Sequence, residues 1–234
     1  CAEGVEILVS EQGGESEIIE RVRNRIEELF SPKESTPENI PLDQFVVEII
    51  EEMRPGFSHR NVAVNCKTEP SKTVYLPSDP LGKIVRGIIK NAVENTPDEG
   101  KIEVNVRNNG SGVSFMVHDY GVGIRPDHQK RIFEGFFPTQ ETNDYASRHP
   151  FDFNAGGKGA DLLRMKIFSE RFRFRIEMTS TRCPHITRAG DCCPGLISRC
   201  AYCTGTNDCY RSGETVFEVF FPDSLKSAAK AHDD

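Results

Sequence analysis

Four groups of residues in this chain are of a type and spacing that could do chemistry. Asp119-Tyr-Gly-Val-Gly-Ile124 places a carboxylate at the end of the alternating apolar run Gly112 to Val117, with two glycines one residue apart behind it. Backbone at Gly121 and Gly123 can turn tightly and lie close against something flat or phosphorylated, because no Cβ holds a partner away. Gly156-Gly157-Lys158-Gly159 opens a helical pattern. Free N–H groups and the positive dipole end at such a start suit an anionic group, and Lys158 adds a point charge. Asn91 stands on a long amphipathic pattern, and an amide oxygen is a hard donor of the kind Mg²⁺ takes beside waters and phosphate oxygens. Singly, each is ordinary: glycine turns follow many strands, and an asparagine on a helix surface says little.

The fourth group is a cluster of thiols. Of eight cysteines, Cys183, Cys192, Cys193, Cys200, Cys203 and Cys209 crowd one short polar segment, while Cys1 and Cys66 stand apart. A Cys-x-x-Cys pair such as Cys200 and Cys203 can bite one metal from a single turn, with further thiolates closing a tetrahedral site. Candidate ligands are Cys183, Cys193, Cys200, Cys203 and Cys209, with His185 as a substitute, for Zn²⁺ or an iron–sulfur cluster. The competing expectation is free or disulfide-linked thiols stapling a loop with little apolar content of its own.

The elements that must position these groups follow from periodicity. Glu17 to Phe30 is an amphipathic helix, and the proline-rich stretch Ser31 to Pro41 a linker. A helix over Asp43 to Met53 is stopped by Pro55-Gly56. Asn61–Cys66 and Thr73–Leu76 alternate as strands. Pro80 opens the strongest helix, its stripe formed by Leu81, Ile84, Val85, Ile88 and Ala92, with Asn91 beside it. Lys101–Arg107 and Gly112–Val117 are strands joined by Asn108-Asn109-Gly110, a hairpin signal. A short helix spans Pro126 to Phe133, and Pro138 to Gly157 is a long polar segment with the profile of a lid rather than a packed element. Lys158–Arg171 is helical again. Phe172 to Met178 and Thr215 to Phe221 alternate as strands, with the thiols between them.

Composition bounds the rest. A chain of 234 residues with 37% hydrophobic content can bury a sizeable core in one or two domains. The net charge of −7 gives no electrostatic case for nucleic acid. No apolar run approaches the roughly 18 residues of a membrane span. A start at Cys1 without a leader reads as a piece of something longer.

Lys90-Asn91-Ala92 on a helix, Asp119 to Ile124 after a strand, Phe133-Glu-Gly-Phe136, and Gly156 to Gly159 before a helix stand in one order. In that order, and in the stretch Ile88 to Val104, the chain resembles the GHKL ATP-binding family, and within it the catalytic domain of sensor histidine kinases. The likeness runs from about Ile40 to Pro222. It implies a two-layer α/β sandwich of the Bergerat type, a mixed sheet with helices on one face. It implies ATP contacts at Asn91, Asn95, Asp119, Gly121, Gly123, Ile124, Gly157, Lys158, Gly159, Leu162 and Thr215. Asn91 would be the catalytic residue and Mg²⁺ ligand, Asp119 the adenine-selecting carboxylate, and Thr215 would complete the adenine pocket through a water. Phe133 and Phe136 read as lid anchors.

It also implies domains and partners. Residues 1–35 would end a dimerisation and phosphotransfer hairpin, followed by the ATP-binding domain at 36–234 with a Cys-rich insertion at about 182–212. The γ-phosphoryl group of ATP would pass to a His on that neighbouring helical domain, in a homodimer, and onward to a response-regulator receiver domain. The setting would be cytoplasmic, as the inner part of a membrane-bound sensor. The chain departs from the family at Gly87, where Asn or His is usual, at Glu94, where Lys is common, and at Asp161, where the second glycine box ends in Gly. None of the six histidines lies in an acceptor helix. These departures leave a second expectation, a nucleotide-binding regulatory module with weak or no transfer and a metal- or redox-responsive cysteine cluster.

Overall fold

The computed structural model describes residues 36–133, 149–155, 160–187 and 191–223. The chain divides into Cys1–Ser35 and Thr36–Asp234, and every described residue belongs to the second unit. The helix expected over Glu17 to Phe30 lies outside the described residues.

The chain order is β1 (Glu38–Pro41), α1 (Leu42–Met53), a 3₁₀ turn at Arg54–Phe57, β2 (Ala63–Thr68), β3 (Thr73–Leu76), α2 (Ser78–Asn95), β4 (Lys101–Asn109), β5 (Gly112–Asp119), α3 (Pro126–Gln129), α4 (Ala160–Phe172), β6 (Arg175–Thr181), a 3₁₀ turn at Ile197–Arg199, α5 (Thr206–Tyr210) and β7 (Glu214–Pro222). Five strands form a mixed sheet in the order β2-β4-β5-β7-β6, and β1 pairs with β3 alone. The β2–β4 pair is parallel, and the other neighbours are antiparallel.

One core joins the helices to the sheet. Helix α1 buries Leu42, Val46, Ile49, Ile50 and Met53, and α2 buries Leu81, Ile84, Val85, Ile88, Ile89, Ala92 and Val93. Both sets recur at three-to-four spacing, as an apolar stripe requires. They meet Ile102, Val104, Val106, Phe115, Val117, Phe217, Val219 and Phe221, alternate residues of the three central strands. The mixed sheet and helical layer form the expected α/β sandwich.

Local departures have local causes. Helix α2 begins at Ser78, so Pro80 lies in its first turn, where a missing N–H costs nothing. The β4–β5 hairpin pairs Asn109 with Gly112, so its turn is Gly110-Ser111, and Asn108 and Asn109 of the expected connection Asn108-Asn109-Gly110 stay in the strand. Helix α3 is a single turn; Lys130 to Phe133 continue as turns, with Ile132 buried. Phe172 stays in α4 because Arg173, at φ +56°, ends the helix in the left-handed conformation before β6 starts.

The expected lid is more tied down than its composition suggested. Its described part, 149–155, is packed against the end of α2. The Glu94 carboxylate accepts the Phe151 N–H at 3.0 Å, and the Glu94 carbonyl accepts the Asn154 N–H at 2.7 Å. Buried Arg60 donates to the carbonyls of Val93, Thr96 and Phe151 and to the Asp98 carboxylate.

Candidate functional site

Strand register brings two of the expected residues side by side. Asp119 and Thr215 are direct cross-strand partners on β5 and β7, and both are buried. One Asp119 oxygen accepts the Gly121 N–H at 3.2 Å, and no cation pairs with it among the described residues. Burial pushes its carboxyl well above the ordinary carboxylate range; the Gly121 N–H opposes this weakly, and the Glu214 carboxylate adds to it. Thr215 Oγ1 lies 3.0 Å from Ser180 Oγ, which also donates to the Glu214 carbonyl and accepts the Ile124 N–H at 2.8 Å. That leaves the Thr215 hydroxyl as donor to Ser180, with its own lone pairs uncommitted in this network.

The protein's own backbone already requires glycine at both positions of this loop. A Cβ at Gly121 would come within 2.2 Å of the Asn95 carbonyl oxygen, and one at Gly123 within 1.9 Å of the Thr181 carbonyl oxygen. Gly123 also sits at φ +65°, which favours glycine. Close approach of protein backbone therefore requires both, before any ligand is considered. Val122 N–H bonds to the Asn95 carbonyl at 3.1 Å, sewing the loop to the end of α2. Ile124 is half-buried against the core, and Gln129 donates to the carbonyls of Ile124 and Ser180.

On α2, Asn91 is half-buried. Asn95 is committed locally, its amide donating to the Asn91 carbonyl at 2.8 Å. Lys90 pairs with buried Glu94 at 3.3 Å. The two departures on this helix now have a physical reason. Glu94 binds the 149–155 segment, and Gly87 is where α4 crosses α2. A Cβ there would meet Met165 Cε at 2.5 Å and Asp161 Cβ at 3.7 Å. Asp161 itself pairs with Arg164 at 3.4 Å, and Leu162 packs against the core. Gly157, Lys158 and Gly159 lie outside the described residues, as does Phe136; Phe133 packs against the core.

Sequence reasoning missed Ser180, Arg60, Gln129 and Arg182. Arg182 donates to the Gly123 carbonyl at 2.8 Å and to the Ile186 carbonyl at 3.2 Å. Each is a long-range clasp, for which a single sequence carries no signal.

The cysteine segment, Arg182 to Gly213, lies against the same loop. Cys183 N–H donates to the Val122 carbonyl at 3.1 Å. Asp98 and Leu196 form a parallel bridge, and Ser198 N–H reaches the Glu99 carboxylate at 2.7 Å. Cys183, Cys193, Cys200, Cys203 and Cys209 are half-buried and not in disulfides. Burial, then the neighbouring thiols Cys203, Cys193 and Cys183, push Cys209 up to about 12. Burial also raises Cys200, but the Tyr202 N–H, the Cys203 thiol and the Cys203 N–H hold it below the ordinary value. Among the described residues, no three His, Cys, Asp or Glu side chains already converge as a metal site. The His185 ring is stacked on Tyr202, centroids 4.6 Å apart.

Known proteins resemble this one along most of the described fold. Over 156 residues the chain is 26% identical to the phosphate regulon sensor protein PhoR of Pseudomonas aeruginosa, covering 67% of this chain and 33% of that protein. Over 182 residues it is 26% identical to the histidine protein kinase SaeS of Staphylococcus aureus, covering 76% and 49%. The chain thus spans a third to a half of the curated relatives it matches. The mycobacterial sensor histidine kinase MprB superposes with a TM-score of 0.54 at 18% identity, covering 80% of this chain and 97% of that one. Full-length ShkA, solved with AMPPNP, gives 0.56 at 18%, covering 94% and 37%; these two show the fold alone. The model of the histidine kinase-, DNA gyrase B- and HSP90-like ATPases matches residues 77–223, and the chain belongs to that family.

Proposed function

We propose that this unit binds Mg²⁺–ATP and serves as the catalytic domain of a sensor histidine kinase. The observation that carries the reading is the buried pair Asp119 and Thr215, a carboxylate with no cation partner among the described residues beside a hydroxyl whose lone pairs are uncommitted in its network. That donor set suits adenine, which offers an exocyclic amine and ring nitrogens within one plane. Asp119 would accept the amine, and Thr215 would act through a water. Ile124 and Leu162 would supply apolar contact, and Asn95 would fix the helix end beside them. Asn91 fits as one hard oxygen ligand of Mg²⁺, which keeps waters and phosphate oxygens as its others. Gly157, Lys158 and Gly159 would hold the phosphates through backbone N–H groups and one ammonium.

In the whole protein the γ-phosphoryl group would pass to a His on a helical domain formed with residues 1–35, and then to a receiver domain. The protein's part in such a transfer is chiefly positioning and charge neutralisation. Kinship with a named sensor protein and a named histidine protein kinase supports this; a homodimer and a cytoplasmic setting belong to the same proposal. No described helix is long and apolar enough to cross a membrane.

One observation favours a regulatory nucleotide-binding module instead. At Gly87, one turn before Asn91, Met165 fills the space a polar side chain would need. Calorimetric titration with ATP and ADP, with and without Mg²⁺, tests binding: Mg²⁺-dependent affinity lost in Asp119→Ala supports the site, and no binding by the wild type refutes both readings. Autophosphorylation from labelled ATP, with the upstream helices restored, then separates kinase from module. In this second reading the thiol segment would respond to metal or redox state.

A further inference from the structure

We propose that Arg182 is a positioning residue for the nucleotide, through which the first turn of the cysteine segment fixes the peptide planes of the loop at Gly123. The inference rests on the nucleotide-binding reading and deepens it.

Its first support is what the guanidinium holds. Arg182 is half-buried, and its Nη1 donates to two successive carbonyls, Gly123 at 2.8 Å and Val122 at 3.4 Å. Its Nε donates to the Ile186 carbonyl at 3.2 Å. Among the described residues no carboxylate pairs with it, so the whole cation is spent on backbone acceptors. A guanidinium can do this because its five donors stand in a rigid fork. Buried Ile186 in turn donates its N–H to the Cys183 carbonyl at 3.3 Å, which closes the turn Arg182 is built on.

The second support is the state of the loop. Val122 N–H is fixed by the Asn95 carbonyl, the Val122 carbonyl by the Cys183 N–H as well as Arg182, and Ile124 N–H by Ser180. A trans peptide carries its N–H opposite its carbonyl, so these ties set all three planes between Gly121 and Ile124. Arg182 touches two of the three. Gly123, with φ +65° and no side chain, is the point where the loop would otherwise turn most freely.

The third support is the other end of the segment. A Cβ at Gly213 would lie 2.6 Å from the Gly121 carbonyl oxygen and 3.1 Å from the Cys183 nitrogen. The insertion thus leaves and rejoins the sheet against the loop that follows Asp119, and buttresses it from both ends. Without the guanidinium the loop would spend less time in the shape that binds, and affinity falls with that fraction.

The test is calorimetric titration of the 234-residue chain with ATP and ADP in Mg²⁺, wild type beside Arg182→Met and Arg182→Lys. Methionine keeps the stem without donors, and a lysine ammonium ends short of Nη1 and releases Ile186. Binding should weaken about tenfold in Arg182→Met and less in Arg182→Lys, at melting temperatures that leave both folded during the titration. The factor should be the same for ATP and ADP, because the loop is posed against the base. Arg199→Met, exposed in the same segment, should bind as the wild type does. A purely structural role would lower the melting temperature and leave the affinity of the folded protein unchanged.

If the wild type binds neither nucleotide, the nucleotide reading fails and takes this inference with it. If the wild type binds and either folded variant of Arg182 binds as tightly, this inference alone fails; should Arg182→Met not fold, Arg182→Lys decides. A loss confined to ATP would make Arg182 a phosphate contact, and an equal loss in Arg199→Met would trace the effect to the segment at large. Either overturns the positioning role.

Discussion

Asp119 stands directly across from Thr215 on neighbouring strands, its carboxyl enclosed and raised by burial. A folded-state value above the unfolded one makes its stability contribution complete below the unfolded value, 3.8, and lost as pH rises through the folded value. At neutral pH the carboxylate is therefore held at a cost. Asp119→Asn should raise the melting temperature, by about 2–4 °C for each kcal/mol relieved, while weakening ATP binding. The gain should widen from acid to neutral pH. Scanning calorimetry of both proteins across that range checks the sign; an unchanged gap would remove the argument from burial.

Ser180 joins β6, β7 and the loop at Ile124 through one hydroxyl. Ser180→Ala leaves the Ile124 N–H without its acceptor, which should cost about 1–3 kcal/mol. Urea unfolding measures it. Amide hydrogen exchange at Ile124 should quicken as well, which a loss spread over the whole fold would not single out.

Glu94 binds the segment at Phe151 while Lys90 pairs with it. Glu94→Gln keeps an acceptor for the Phe151 N–H and should cost about 1 kcal/mol. Glu94→Lys buries a second cation beside Lys90 and should cost about 3–5 kcal/mol. Limited proteolysis near Phe151 should follow the same order. Equal effects of the two substitutions would mean the carboxylate is not the anchor.

Gly87 and Met165 are matched shapes. Gly87→Ala moves only the flexible end of Met165 aside from a 2.5 Å approach, so its overpacking cost should stay below about 1 kcal/mol and be largely offset by the helix's preference for alanine. Combining it with Met165→Ala should cost less than the sum of the single changes. Strict additivity in the double-mutant cycle would show that the two do not compete for space.

How far the sequence reveals the molecule depends on the range of the interaction. Strands Thr73–Leu76 and β4, β5 and β7, and helices α1 and α2, follow from apolar periodicity and turn residues, because those act within a few positions. Asp119 and Thr215 were each picked out by the family resemblance, but their cross-strand pairing is a matter of register that no motif states. Arg60, Ser180 and Arg182 were invisible because each satisfies carbonyls or hydroxyls brought near by the finished fold. Glu94 and Gly87 looked like losses of function in one dimension. In three they have partners, Phe151 and Met165, that local pattern could not reveal. The segment 149–155 read as a lid because its two anchors, Glu94 and Arg60, are remote in sequence.

The insertion interrupts a hairpin without disturbing its strands: β6 and β7 pair without a bulge from Arg175 with Phe220 to Thr181 with Glu214. Closing a loop from Arg182 to Gly213 costs chain entropy that grows only slowly, about 0.6 kcal/mol per doubling of length. The cost is thermodynamically mild but kinetically ordered, since contacts distant in sequence form after local ones. By sequence separation the β4–β5 turn closes first, and the β6–β7 pair, innermost at Thr181 and Glu214, is still more local than the β5–β7 pair at Asp119 and Thr215. A long connection at the sheet's edge lets the chain carry extra chemistry without parting any neighbouring strands.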